Sequence, residues 1–136
     1  MERVTVHVDG GARGNPGPSA VAAVASDGAG QELAERSAYI GEATNNVAEY
    51  KAVLLGLDLA RELGATKVDV VNDSELVARQ IEGRYKVKNA GLKPLYLEAM
   101  ENLRGFADWS VTSVRRESNE RADELVNEAL DRERGR

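Results

Sequence analysis

Four acidic residues, Asp9, Glu49, Asp73 and Asp123, each stand near the start or end of an expected regular element. Gathered in one place they would have the donor chemistry of a hard-cation site. Clustered carboxylates repel, and without a cation some of them take up protons rather than share a space. A divalent ion removes that conflict. Mg2+ prefers oxygen ligands, and two such ions roughly 4 Å apart can activate a water and stabilise the leaving oxygen of an in-line phosphoryl displacement. With one histidine and no cysteine, the chain suits Mg2+ or Mn2+ better than zinc. A single aspartate at a strand end is more often a turn former or a helix cap. The weight therefore rests on the four together.

Positioning them requires particular elements. Residues 3–9 alternate, with Val4, Val6 and Val8 on one face and Thr5, His7 and Asp9 on the other, which predicts a strand ending at Asp9. The glycine and proline cluster at 10–18 reads as a loop, and 20–26 and 32–40 as two further strands joined by the turn at 27–30. From Thr44 the apolar period becomes helical until Gly64, with Thr44 or Asn45 as the cap. Asn45 and Glu49, four apart, stack on one face of the first turns of that helix. A short strand at 68–71 leads to Asp73, and a helix is expected over 74–81. Residues 92–107 predict another helix, 109–114 a fifth strand, and Asn119 onward a last helix. In that helix Ala122, Leu125, Val126, Ala129 and Leu130 form one apolar stripe bordered by Asp123. The order βββαβα(α)βα implies an α/β fold: an antiparallel meander, then parallel strands, in one mixed sheet with helices on both faces. In such sheets ligands gather beyond the carboxyl ends of parallel strands.

Other features carry weaker signals. The loop GGARGNPGP (10–18) matches neither a phosphate loop nor a dinucleotide fingerprint, because a strand rather than a helix follows it. Tyr85 among Arg79, Arg84, Lys86, Lys88 and Lys93 reads equally as a nucleic-acid contact or as a core residue. The net charge of −5 argues against a nucleic-acid partner by its sum but not by its distribution. At 136 residues, 42% of them hydrophobic, the chain is expected to form one domain over 1–136, with fraying at 132–136. Without cysteine, a secretion signal or an apolar run of roughly 18 residues, the expectations are a cytoplasmic location, no membrane partner and a monomer.

Five segments in order, DGGARGNPGP (9–18), TNNVAEYKA (44–52), NDSELV (72–77), YKVKNAGLKPLY (85–96) and RESNERADELVNEA (116–129), resemble those of type 1 ribonucleases H, and they span most of the chain. The resemblance implies a five-stranded ribonuclease H-like sheet and a two-metal endonuclease. Asp9, Glu49, Asp73 and Asp123 would hold two Mg2+ ions, Asp9 bridging both. The implied reaction cuts the RNA strand of an RNA/DNA hybrid to 5′-phosphate and 3′-hydroxyl ends; an RNA/RNA duplex is an alternative substrate, and a non-catalytic hybrid-binding module an alternative role. By the same likeness Asn15, Thr44, Asn45, Asn46, Ser74 and Glu75 contact the hybrid. Amides there would read minor-groove edges, and the Gly10 and Gly11 backbone would approach ribose 2′-hydroxyls. Thr44 and Asn45 also read as caps only. Many members carry a histidine in the loop before the last helix, where this chain has VRRESNE (114–120). Arg115 or Arg116 is expected to take over part of that task by holding a phosphate, and His7 to be packed behind the site.

Overall fold

The computed structural model describes residues 2–134. Strand alternation sets its centre: β1 (Arg3–Ala12) turns Val4, Val6 and Val8 into the main core. β1 pairs antiparallel with β2 (Gly17–Ser26), which pairs antiparallel with β3 (Glu32–Ala43). On its other side β1 pairs parallel with β4 (Lys67–Asn72), and β4 pairs parallel with β5 (Asp108–Ser113). The order β3-β2-β1-β4-β5 is the mixed sheet that the element order implies.

Among the described residues four α-helices follow from the periodic segments: α1 (Asn45–Glu62), α2 (Glu75–Ile81), α3 (Lys93–Arg104) and α4 (Glu120–Arg134). Tyr50, Val53 and Leu57 of α1 join the core made by β1, and α3 adds Ala99 and Leu103. On the opposite face the α4 stripe of Ala122, Leu125, Val126, Ala129 and Leu130 packs on Ala20, Ala22 and Val24 of β2. β2 is thereby buried on both faces, which explains its unbroken apolar run. Its alanines let α4 come close. Among the described residues no helix is long and apolar enough to cross a membrane.

Several boundaries differ from the sequence expectation. Asp9 is not a strand end: Asp9, Gly10, Gly11 and Ala12 continue the ladder opposite Ala22, Val21, Ala20 and Ser19. The connecting loop shrinks to residues 13–16 because the hairpin pairs that far, and it contains a cis Asn15–Pro16 bond. α3 stops at Arg104, and Ala107 instead donates its N–H to the Thr66 carbonyl at 2.7 Å. Before α4, Arg116–Asn119 forms a 3-10 turn. Residues 132–134 belong to α4, whose buried Leu130 lies one turn earlier, and residues 135 and 136 lie outside the described residues.

Two glycines let α1 come close to β1: Gly56, where a Cβ would lie 2.6 Å from Val8 Cγ1, and Gly10. A Cβ added to Gly10 would lie 2.2 Å from the Ala48 carbonyl oxygen and 2.7 Å from the Glu49 nitrogen. These are backbone atoms, so they cannot rotate away. Glycine at 10 is therefore required by packing, whatever else its backbone meets. A Cβ on Gly11 would meet only Val126 Cγ1, at 3.6 Å, which is ordinary contact. Gly10→Ala is expected to destabilise the fold by about 3 kcal/mol or more, and Gly11→Ala to stay within about 0.5 kcal/mol of wild type. Urea unfolding measures both; equal effects would show that the first turn of α1 yields freely.

Candidate active site

Each carboxylate is delivered by a different element. Asp9 lies on β1 two residues past the last parallel pair with β4, His7–Val71, on the stretch still held by β2. Glu49 sits in the first turns of α1, which begins because Thr44 is extended (φ −83°, ψ 162°) and its hydroxyl accepts from Val47 N. Asp73 follows β4. Its predecessor Asn72 is buried, donates to the Thr112 carbonyl at 3.2 Å and accepts from Ser74 N at 2.7 Å, so the turn leaving β4 is pinned to β5. Asp123 lies in the first turn of α4. All four line one cleft of about 390 Å³, together with Gly10, Gly11, Asn45, Asn46 and Arg116.

Like charges dominate this cleft. Asp9 is only 8% exposed, and it lies within hydrogen-bonding reach of both Asp73 and Asp123. Burial first, then the charges of Asp73, Asp123 and Glu49, push its carboxyl up to about 8. Burial likewise raises Glu49 to about 7, with Asp73 adding to the rise; the Ser74 hydroxyl, bonded to its carboxylate, and Arg116 oppose it. Asp73 is raised by burial as well, against the pull of Arg116. That pull is loose: Arg116 Nε stands 3.9 Å from Asp73 Oδ2 on a side chain 79% exposed. Near neutral pH the site therefore retains protons, and a hard cation is what would displace them. Among the described residues no three acids already close into a ligand cage. An open set of oxygen donors still fits Mg2+, which keeps several waters and takes few protein carboxylates.

The other expected site residues are spread over several places. Gly10, Gly11, Asn45, Asn46 and Arg116 line the cleft. Asn45 Oδ1 accepts from Ala12 N at 2.8 Å, and Asn45 N donates to Asn15 Oδ1 at 3.1 Å, so these amides tie α1 to the β1–β2 hairpin. Asn15 and Thr44 line an adjoining hollow with Asn89, and Asn46 borders both spaces. Thr44 and Ser74 are helix caps, Ser74 also touching Glu49. Glu75 stands apart from the carboxylate cleft: it is exposed, pairs with Arg79 one helical turn on, and lines a separate hollow beside Asp73. His7 is half-buried, its pKa lowered by burial, and it lines a space with Asn119 and Arg121 on the α4 face rather than the cleft. Tyr85 is exposed, with the Arg79 guanidinium 5.7 Å from its ring.

Sequence reasoning missed Asn119. It resembles a helix cap, yet it is 2% exposed and its Nδ2 donates to the Val8 carbonyl at 2.9 Å. This bond joins the residue before Asp9 to the turn before Asp123 and sets the spacing of those two acids. Arg13 and Asn127, which also line the cleft, carried no local signal, because Arg13 bonds to Asn127 across 114 residues.

Comparisons with known proteins bear on the fold and the family. A family model described as reverse transcriptase-like matches residues 7–129. Ribonuclease HI of Halobacterium salinarum is 46% identical over 129 residues, covering 95% of this chain and 65% of that protein. Its crystal structure superposes with a TM-score of 0.93, covering 95% of this chain and 98% of the solved one. A bifunctional protein of Mycobacterium tuberculosis is 45% identical over 95% of this chain, which spans only 36% of that longer protein. A crystal structure of LC11-RNase H1 in complex with an RNA/DNA hybrid has 43% identity and a TM-score of 0.90, covering 95% of this chain and 97% of that one. With the family model spanning most of its length and the five-stranded fold shared, the chain belongs to the ribonuclease H family, among the type 1 members.

Proposed function

We propose that this chain is an endonuclease that hydrolyses the RNA strand of RNA/DNA hybrids, leaving 5′-phosphate and 3′-hydroxyl ends. The observation that carries the reading is the convergence of four carboxylates from β1, α1, the β4–α2 turn and α4 on one cleft, with protons retained near neutrality. Asp9, Glu49, Asp73 and Asp123 would hold two Mg2+ ions, with Mn2+ able to substitute. When bound, such a pair supplies an activated water and charge neutralisation at the leaving oxygen. The hybrid complex of the similar LC11 enzyme supports the substrate class.

The protein's own contribution is placement. Gly10 and Asn119 fix where Asp9 lies relative to Glu49 and Asp123. The Asn45 side-chain Oδ1 accepts from Ala12 N, leaving its side-chain NH2 for minor-groove edges, with Asn46 and Asn15 beside it. Gly11 keeps the strand bare where a ribose 2′-hydroxyl would approach. Thr44 serves the substrate indirectly by starting α1, which presents Asn46 and Glu49, and Ser74 does so by starting α2 and meeting the Glu49 carboxylate with its hydroxyl. Arg116, exposed beside Asp73, is assigned a phosphate or the departing product.

End-labelled hybrid, DNA duplex and RNA duplex incubated with Mg2+, Mn2+ or chelator test the substrate. Cleavage confined to the RNA strand of the hybrid and abolished by chelator is expected. DNA-duplex cutting at a comparable rate, or turnover in chelator, would overturn the reading, and RNA-duplex cutting would broaden it.

The retained protons carry a sign. Asp9 and Glu49 have raised pKa values in the fold, so the stability they contribute is complete below the ordinary carboxylate range and is lost as pH rises through about 7 and 8. His7, lowered by burial, acts the opposite way, but only below about pH 6.5. Metal-free protein should therefore lose thermal stability between about pH 6.5 and 9, and Mg2+ should restore it. Asp9→Asn should lose at least about a hundred-fold in cleavage. In chelator at about pH 8.5 it should melt at least about 3 °C above wild type. A flat or rising metal-free profile in the wild type would contradict the crowded-carboxylate account.

A further inference from the structure

The carboxylate cleft does not end at its acids. Arg13 and Arg116 are its basic residues among those described, and they come from separate places, the β1–β2 loop and the turn before α4. Arg13 and Leu130 also line a second hollow of about 420 Å³, shared with Pro18, Tyr39, Glu133 and Arg134. Arg13 and Leu130 are thus walls of both spaces. Strand register orders them: Tyr39 pairs with Ala20, and Ala20 pairs with Gly11. Tyr39 thus lies two strands from Gly11 in one row, about 10 Å away. Ala20 packs under α4, so the Tyr39 ring, 40% exposed, stands on the α4 face.

Arg13 is held but not consumed. Its backbone N–H donates to the Pro18 carbonyl at 2.8 Å; its guanidinium reaches Asp131 at 2.8 Å and Asn127 Oδ1 at 3.3 Å. Both members of the ion pair are solvent-exposed, Asp131 by 66%, and a pair of that kind contributes little stability. Asp131 and Asn127 orient the fork while a stronger anion can still replace the carboxylate. A guanidinium at the mouth, an exposed phenol ring behind it and the apolar walls of Leu130 and Pro18 match one chemical class. That class is a nucleotide, with its phosphodiester on Arg13 and its base against Tyr39.

We propose that Arg13 and Tyr39 form a flanking subsite, outside the carboxylate set, that grips the cut strand beyond the scissile phosphate on the β3 side. The proposal rests on the reading that the cleft accepts a hybrid. It also bears on the acidic net charge: the cleft gains a second cation on the side of the carboxylates away from Arg116.

Single-turnover cleavage at saturating Mg2+, between about 50 and 200 mM salt, gives a half-saturation constant and a plateau rate. The substrates share one cut site and are shortened stepwise from either end. Arg13→Ala is expected to raise the half-saturation constant about ten-fold and to flatten its salt dependence by about one charge, with the plateau rate little changed. Arg13→Lys should restore the salt dependence, and Tyr39→Ala should weaken binding without altering it. Both alanine penalties should vanish on hybrids shortened from one end and persist on those shortened from the other. Asp131→Asn separates gripping from bracing: if Arg13 grips a phosphate, this variant binds as tightly as wild type or tighter. If it merely braces the loop against α4, Asp131→Asn reproduces Arg13→Ala and the subsite is overturned. Penalties that ignore which end is shortened overturn it too. Wild type that cuts hybrids normally while Arg13→Ala matches it defeats the subsite alone; wild type that cuts no hybrid defeats the underlying reading as well.

Discussion

A helix can approach a sheet only as closely as the side chains between them allow, and at Gly10 there is none. The Ala48 carbonyl occupies the place where a Cβ would be. This brings the first turn of α1 onto the backbone next to Asp9 and carries Glu49 into the cleft with it. Burial raises both carboxyls, with Asp73 adding to the rise at each and Glu49 to that at Asp9, and carboxyls so raised suit the cation proposed for the site. A looser contact would relax the repulsion and lessen that suitability.

Such a cluster works against the fold in the absence of metal, so it has to be held by interactions elsewhere. Three buried amides do part of this. Asn119 binds the Val8 carbonyl, Asn72 binds the Thr112 carbonyl, and Gln80 accepts the Tyr50 hydroxyl at 2.6 Å. Each joins an element bearing a carboxylate to a neighbour, within one or two residues of Asp9, Asp73 and Glu49 respectively. Behind them lie two apolar clusters, one on each face of the sheet, whose burial stabilises the fold irrespective of the charge in the cleft. The cost of crowding is thus borne by hydrophobic area that takes no part in the chemistry.

Periodic segments were legible because their information is local. The α4 stripe is buried as its spacing requires, and the valines of β1 mark the core face without help from the rest of the chain. The four acids stood out for a related reason, since each borders such a segment. Strand ends were less legible: β1 continues through Asp9 to Ala12 because β2 pairs with it, and glycines in that stretch looked like loop. Asn119 and Arg13 escaped notice because a bond across 111 or 114 residues leaves no local pattern. Glu75 drew attention through the motif around it, yet its carboxylate serves Arg79 on its own helix.

The most direct test of the crowding account is the titration of Asp9 itself. Carboxyl-carbon NMR of selectively labelled protein, with Asp9→Asn as the assignment control, would follow its ionisation with and without Mg2+. Without metal the midpoint should lie near 8, and saturating Mg2+ should bring it into or below the ordinary aspartate range of about 3.9. A metal-free midpoint already in that ordinary range would show that the four carboxylates do not compete for charge, and the account would fail at its centre.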